Sequence, residues 1–226
     1  MDDLLPQTLK VLGIIWINVI LSGDNAVVIA LACRGLPDDK RRLGMVLGAG
    51  VAVALRIVFT LLVASLLSTP FLKIIGGALL LWIAVKLLTD NPDENDEVKE
   101  TDRLWSAVWT VAVADAVMSL DNVLAIAAVA QGSTWLMIFG LAISIPLIVA
   151  GAALILAVLD RAPVLIWAGA ALLGWVAGDM IASDPWLAST YGEQTMHRWD
   201  LPASALAAAL VVVTAFVARR RSTAGA

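Results

Sequence analysis

The residues of this sequence best suited to unusual chemistry are aspartates and asparagines embedded in apolar runs. Asn18, Ser22 and Asn25 recur at i, i+4 and i+7, and so do Asp115, Ser119 and Asn122. On a straight helix that spacing lines up one face. Asp24 and Asp121 each sit one residue back, about 100° around the helix. Each segment therefore offers oxygen ligands across one broad side. Gly23 would let the first helix open locally and free carbonyls, an aid that Leu120 denies the second. Hard oxygen donors without thiolate or imidazole favour Mg²⁺, Ca²⁺, Mn²⁺, Na⁺ or H⁺ over zinc or copper. Residue types alone do not choose among these. Cys33 and His197 are the single cysteine and histidine. They exclude an internal disulfide, a Cys/His zinc cluster and the nucleophile–histidine pairs of hydrolases. An enzyme is not expected, nor is a resident cofactor.

The elements that must position these groups are membrane helices. Of the 226 residues 61% are apolar and 15% charged, and the mean hydropathy is +0.90. Globular domains sit near half apolar and a quarter charged. Apolar runs bounded by charges, Pro or Gly predict an all-α polytopic fold with seven spans, at 9–32, 43–67, 71–89, 104–130, 134–159, 163–181 and 202–218. The acidic start lacks a basic n-region, so the first span is expected to be retained. Residues 90–103 form a charged linker and 182–201 a mixed segment on the opposite side. Trp105, Trp109, Trp135, Trp186 and Trp199 lie near span ends, as an interfacial aromatic belt requires.

At membrane depth a carboxylate costs about 2.5–3.5 kcal/mol on insertion scales, so Asp24, Asp115 and Asp121 together need compensation. Arg56 is the one cation in the middle of any span. It can serve one or two of them, leaving net negative charge for a bound cation or protons. Asp179 and Lys86 lie near span ends, where an interfacial carboxylate or a snorkelling lysine is unremarkable.

Orientation follows from the basic residues. Arg34, Lys40, Arg41, Arg42, Lys86, Lys99, Arg103, Arg161, Arg219, Arg220 and Arg221 fall on one side, against Lys10, Lys73 and Arg198 on the other. The positive-inside rule then puts the N-terminus outside and the C-terminus in the cytoplasm.

The chain also repeats itself. Asn18 to Ala30 lies over Asp115 to Ala127 at an offset of 97, with Ser-x-Asp-Asn in both copies. Pro70, Gly76, Trp82 and Ala84 of the third span meet Pro163, Gly169, Trp175 and Ala177 of the sixth. Three spans per unit is odd, so the second copy enters the membrane from the opposite side. Residues 1–226 read as one transmembrane domain, with repeat one at 9–89, repeat two at 104–181 and a seventh helix outside the symmetry. Inverted repeats of this kind place a substrate site near the midplane between the halves.

Ser22-Gly-Asp-Asn-Ala-Val-Val-Ile-Ala30 and Asp115-Ala-Val-Met-Ser-Leu-Asp-Asn-Val-Leu-Ala125 resemble the paired signatures of the TerC family of bacterial membrane proteins, in particular its short YjbE-type members. The resemblance covers nearly the whole chain. It implies a LysE-like exporter fold and Mn²⁺ efflux across the bacterial inner membrane. It also implies metal ligands at Asp24, Asn25, Asp115, Asp121 and Asn122, with Asp179 on an acidic position of the sixth span. Asn18, Ser22, Ser119 and Arg56 would support them. The expected partners are the metal cation and the lipid bilayer, without nucleic acid. An exporter of amino acids or small solutes, and a non-transporting sensor of metal or envelope stress, are the competing expectations.

Overall fold

The computed structural model describes residues 23–66, 70–89, 100–130 and 134–224, and these contain eight helices and no strand. In chain order they are α1 (Gly23–Cys33), α2 (Asp38–Leu66), α3 (Leu72–Thr89), α4 (Glu100–Ala130), α5 (Thr134–Arg161), α6 (Val164–Ala182), α7 (Pro185–Tyr191) and α8 (Glu193–Ala224). Five of them contain stretches long and apolar enough to cross a membrane: Asp38–Phe59, Leu72–Thr89, Leu141–Arg161, Val164–Ala182 and Arg198–Arg220. α1 and α4 carry the first and fourth expected spans.

These helices are apolar around most of their circumference, and much of that surface faces outward. Trp109 is 71% exposed and Leu206 72%. A water-soluble protein does not tile its exterior with such side chains, whereas lipid is a good solvent for them. The five tryptophans expected at the belt, Trp105, Trp109, Trp135, Trp186 and Trp199, are all exposed.

Two compact units emerge, and they cut across the repeats read from the sequence. The first takes residues through Leu67 together with Lys99–Ala157, and the second takes Ser68–Val98 and Val158–Ala226. Each three-span repeat thus gives its first two helices to one unit and its third to the other.

In the first unit α2 packs along α4, and α1 lies against both. Gly48 makes the α2–α4 contact close, since a Cβ there would come within 3.3 Å of Val111. Arg41 ties the turn between α1 and α2, its Nε donating to the Leu36 carbonyl at 3.1 Å and its Nη2 to that of Arg34 at 3.2 Å. Carbonyls left over at a helix C-terminus are natural acceptors for a guanidinium. α2 begins at Asp38, five residues ahead of the expected span, because Asp38 and Asp39 suit the positive end of a helix.

In the second unit α6 packs against α3 and α8, and α7 lies against α8. The α6–α8 contact is backbone to backbone. A Cβ on Gly178 would sit 2.6 Å from both the Ala203 carbonyl and the Ser204 Cα, and one on Gly174 2.9 Å from the Ala208 Cα. Small residues four apart bring membrane helices together in this way. Both ends of α3 are held by charged groups from later in the chain. Fully buried Asp184 accepts from the amides of Phe71 (3.2 Å), Lys73 (3.1 Å) and Ile74 (3.3 Å), and also from Trp186 N–H at 2.9 Å, so one carboxylate caps α3 and α7. At the other end Arg219 Nε donates to the Leu88 carbonyl at 2.8 Å while its guanidinium lies over Trp167. Each charge complements the helix dipole it meets.

The segment 182–201, expected as a mixed segment before the seventh span, is largely helical. α7 fills its first part, and α8 begins at Glu193 rather than at 202, running through Pro202. Proline lies ten residues into that helix and removes one amide from the ladder, which tertiary packing through Ser204 and Ala207 outweighs.

Candidate functional site

The buried polar centre of the first unit is built on α2 and α4. Arg56 projects from α2, where every neighbouring turn is apolar, and is 2% exposed. A guanidinium at such a position must find a counter-charge. It finds Asp115 on α4, with Arg56 Nη2 donating to Asp115 Oδ1 at 2.8 Å. Arg56 Nε donates to Ser119 Oγ at 3.2 Å, and Ser119 Oγ donates in turn to Asp115 Oδ2 at 3.0 Å. The i, i+4 spacing of Asp115 and Ser119 puts both on the face turned to α2, so a single arginine bridges them. Asp115 and Ser119 are themselves buried. The expectation that Arg56 neutralises one of the intramembrane aspartates is met, at Asp115.

α1 brings a second set of groups to the same region. Asn25 is 4% exposed, and both its Nδ2 and its Oδ1 lack a hydrogen-bond partner. A buried carboxamide that satisfies neither end costs on the order of 1–3 kcal/mol per group. It lines a pocket with Asp115, Val28, Ile29, Ala52 and Val111. Asp24, half-buried beside Asn25, accepts from the Asn25 backbone N–H at 2.8 Å. It lies within electrostatic range of both Arg56 and Asp115. One guanidinium and two carboxylates leave a single negative charge in excess among these three groups.

The remaining expected residues are distributed as follows. Asn18 and Ser22 lie outside the described residues. Asp121 and Asn122 fall on α4, but their side chains also lie outside the description. Asp179 is exposed on α6, in the second unit, and Lys86 of α3 lies over Trp82 with its Nζ 5.4 Å from the ring centre. Among the described residues, no three His, Cys, Asp or Glu side chains form a cluster suited to a metal ion. Three oxygen-bearing side chains, those of Asp24, Asn25 and Asp115, are nevertheless gathered by α1 and α4.

Sequence reasoning missed two kinds of residue. Val28, Ile29, Ala52 and Val111 wall the pocket, and nothing distinguishes them in sequence from any other apolar membrane residue. Asp184 was the readable omission, because Asp followed by Pro185 is the pattern of a helix cap with proline at the first helical position.

Relatives place the chain among membrane proteins. A Bacillus subtilis (strain 168) protein described as uncharacterized membrane protein YjbE is 43% identical over 176 residues, covering 78% of this chain and 80% of its own length. Uncharacterized membrane protein YceF of the same organism is 27% identical over 173 residues, 73% of this chain and 67% of the relative. Uncharacterized membrane protein YkoY, also from that strain, is 30% identical over 124 residues, 53% of this chain and 38% of the relative. No solved structure matches the chain. The TerC family of integral membrane proteins matches residues 5–223, the span that carries both Ser-x-Asp-Asn motifs and the Arg56–Asp115 pair, and the chain belongs to that family.

Proposed function

We propose that this protein exports a divalent metal cation, Mn²⁺ foremost, across the bacterial inner membrane, in exchange for protons taken up by the same carboxylates. The observation that carries the reading is the unpartnered Asn25 carboxamide, buried in one pocket with Asp115 and next to Asp24. Proteins rarely bury an amide with both ends unused, and an oxygen-binding ion would use its Oδ1. The excess negative charge supports a cation as cargo. The engagement of Arg56 with Asp115 and Ser119 speaks against an amino-acid substrate, whose carboxylate would compete for that guanidinium. In this reading Asp121 and Asn122 complete the ligand set from the second motif. Seven spans in two inverted repeats, with the N-terminus outside, supply alternating access, and the role is not enzymatic.

The test is flux in proteoliposomes, comparing Mn²⁺, Mg²⁺, Ca²⁺ and Zn²⁺ with and without a pH gradient. Mn²⁺ movement that weakens as the loading side is acidified is expected. Protein that binds Mn²⁺ in an Asp24-dependent way yet moves none under any gradient would favour the stress-sensing role instead.

A further inference from the structure

Both carboxylate oxygens of Asp115 are already engaged. Oδ1 accepts from Arg56 and Oδ2 from Ser119, and all three side chains are almost wholly withdrawn from solvent. Yet Asp115 also walls the pocket into which Asn25 faces without a partner. A cation entering that pocket meets a carboxylate whose charge is already cancelled, and the cancelling group is itself a cation. A guanidinium stays protonated at any pH a cell experiences, so it cannot be switched off by losing a proton. It can only move.

We infer that Arg56 is a tethered stand-in for the cargo: it occupies Asp115 while the site is empty and is displaced from Oδ1 when a divalent cation binds. This rests on the cation-transport reading above and assigns a further role within it. Ser119 is positioned to make the exchange short, because its Oγ contacts both the guanidinium Nε and Asp115 Oδ2. Rotation about the arginine stem can surrender the Nη2–Oδ1 contact while the Nε–Oγ contact persists. The ion then gains a charged ligand that was neutral before it came, and on its departure the arginine restores neutrality. An empty carrier thereby avoids an uncompensated carboxylate at depth. Arg56 is a positioning residue that sets affinity through competition, not a ligand.

The experiment is calorimetric titration of MnCl₂ into the full chain in lipid nanodiscs, paired with Mn²⁺ flux from proteoliposomes. Removing the competitor by Arg56→Gln should tighten Mn²⁺ binding roughly tenfold or more, the scale at which close charge pairs couple, while net flux falls because release loses its replacement cation. In an Asp115→Asn background the same Arg56→Gln change should give no gain, since there is no longer a carboxylate to contest. A merely structural arginine would lower affinity and flux together. A fixed background charge acting through Asp24 would keep the gain in the Asp115→Asn background, and either result overturns the inference. Should Arg56→Gln fail to fold, Arg56→Lys keeps the buried charge but competes at one point instead of two, and should tighten binding about threefold, part of the same coupling. An unchanged Kd in Arg56→Lys would also overturn it. Absence of Mn²⁺ binding in wild type and every variant sinks the transport reading itself, and this inference with it.

Discussion

In the unit formed by α1, α2, α4 and most of α5, opposite charges meet in the interior. In the unit formed by α3, α6, α7 and α8, the described interior is mostly apolar and α6 meets α8 backbone against backbone. Arg56 and Asp115 illustrate the first arrangement, Gly174 and Gly178 the second. An ion pair at depth contributes little net stability, because dehydrating two charges offsets most of their attraction. Glycine contacts lose no such energy and associate helices through packing alone. The second unit is therefore built for persistence. The first keeps an ion pair in its interior.

The largest effect should come from splitting the pair. Arg56→Ala or Asp115→Ala removes one half of the buried ion pair, a loss of about 3–5 kcal/mol. The joint replacement Arg56→Met with Asp115→Leu should recover most of it, as thermal unfolding in detergent would show. If the double variant is as unstable as either single one, the first unit needs its ions for folding, and the contrast between the units fails.

Next is the charge that holds two helix ends. Asp184→Ala strands four amide donors in the second unit, and with capping residues contributing about 0.5–2 kcal/mol per helix the loss should be roughly 1–4 kcal/mol. Asp184→Asn should recover part of it, because one carboxamide oxygen still accepts. Hydrogen exchange at the amides of Lys73 and Ile74 is the local readout. Unchanged protection there would show that the cap adds nothing.

The smallest effects compare one substitution in both units. Gly178→Ala brings a methyl to 2.6 Å from backbone atoms of α8 and should cost about 1–3 kcal/mol through overpacking. Gly50→Ala, on α2, meets nothing within 4 Å and should be neutral or stabilise by up to about 1 kcal/mol, since alanine orders more readily in a helix. Equal melting temperatures for the two variants would erase the packing difference proposed between the units.

How much of this was legible depends on which residues carry a partner's identity with them. Arg56 does: a lone cation in mid-span must be matched, although which of the aspartates would meet it was left open. Helix existence was readable from apolar run length, and helix starts moved outward at Asp38 and Glu100, and furthest at Glu193. Beyond the contact of α1 with α4, which helix packs on which was not readable. Gly174 and Gly178 look like any other small residues in sequence, and their meaning depends on Ala203 and Ser204, which lie beyond the mixed 182–201 segment. The start of α8 was missed for a related reason, since Pro202 reads as a boundary until its packing is seen. At the site, two aspartates and an asparagine were legible, whereas the pocket's aliphatic walls were not.

The sequence separation of the buried pair has a consequence for biogenesis. Asp115 follows Arg56 by 59 residues, so a ribosome adding about 5–20 residues per second delivers the arginine some 3–12 s before its carboxylate exists. During that interval the second span carries the guanidinium without its Asp115 carboxylate, and insertion scales penalise such a charge at depth by about 2.5–3.5 kcal/mol. Either α2 waits at the translocon for α4, or it enters the bilayer with the arginine reaching for water. An engineered pause in translation between residues 60 and 110 would therefore lengthen exposure to membrane quality-control proteases in wild type, but much less in an Arg56→Met chain.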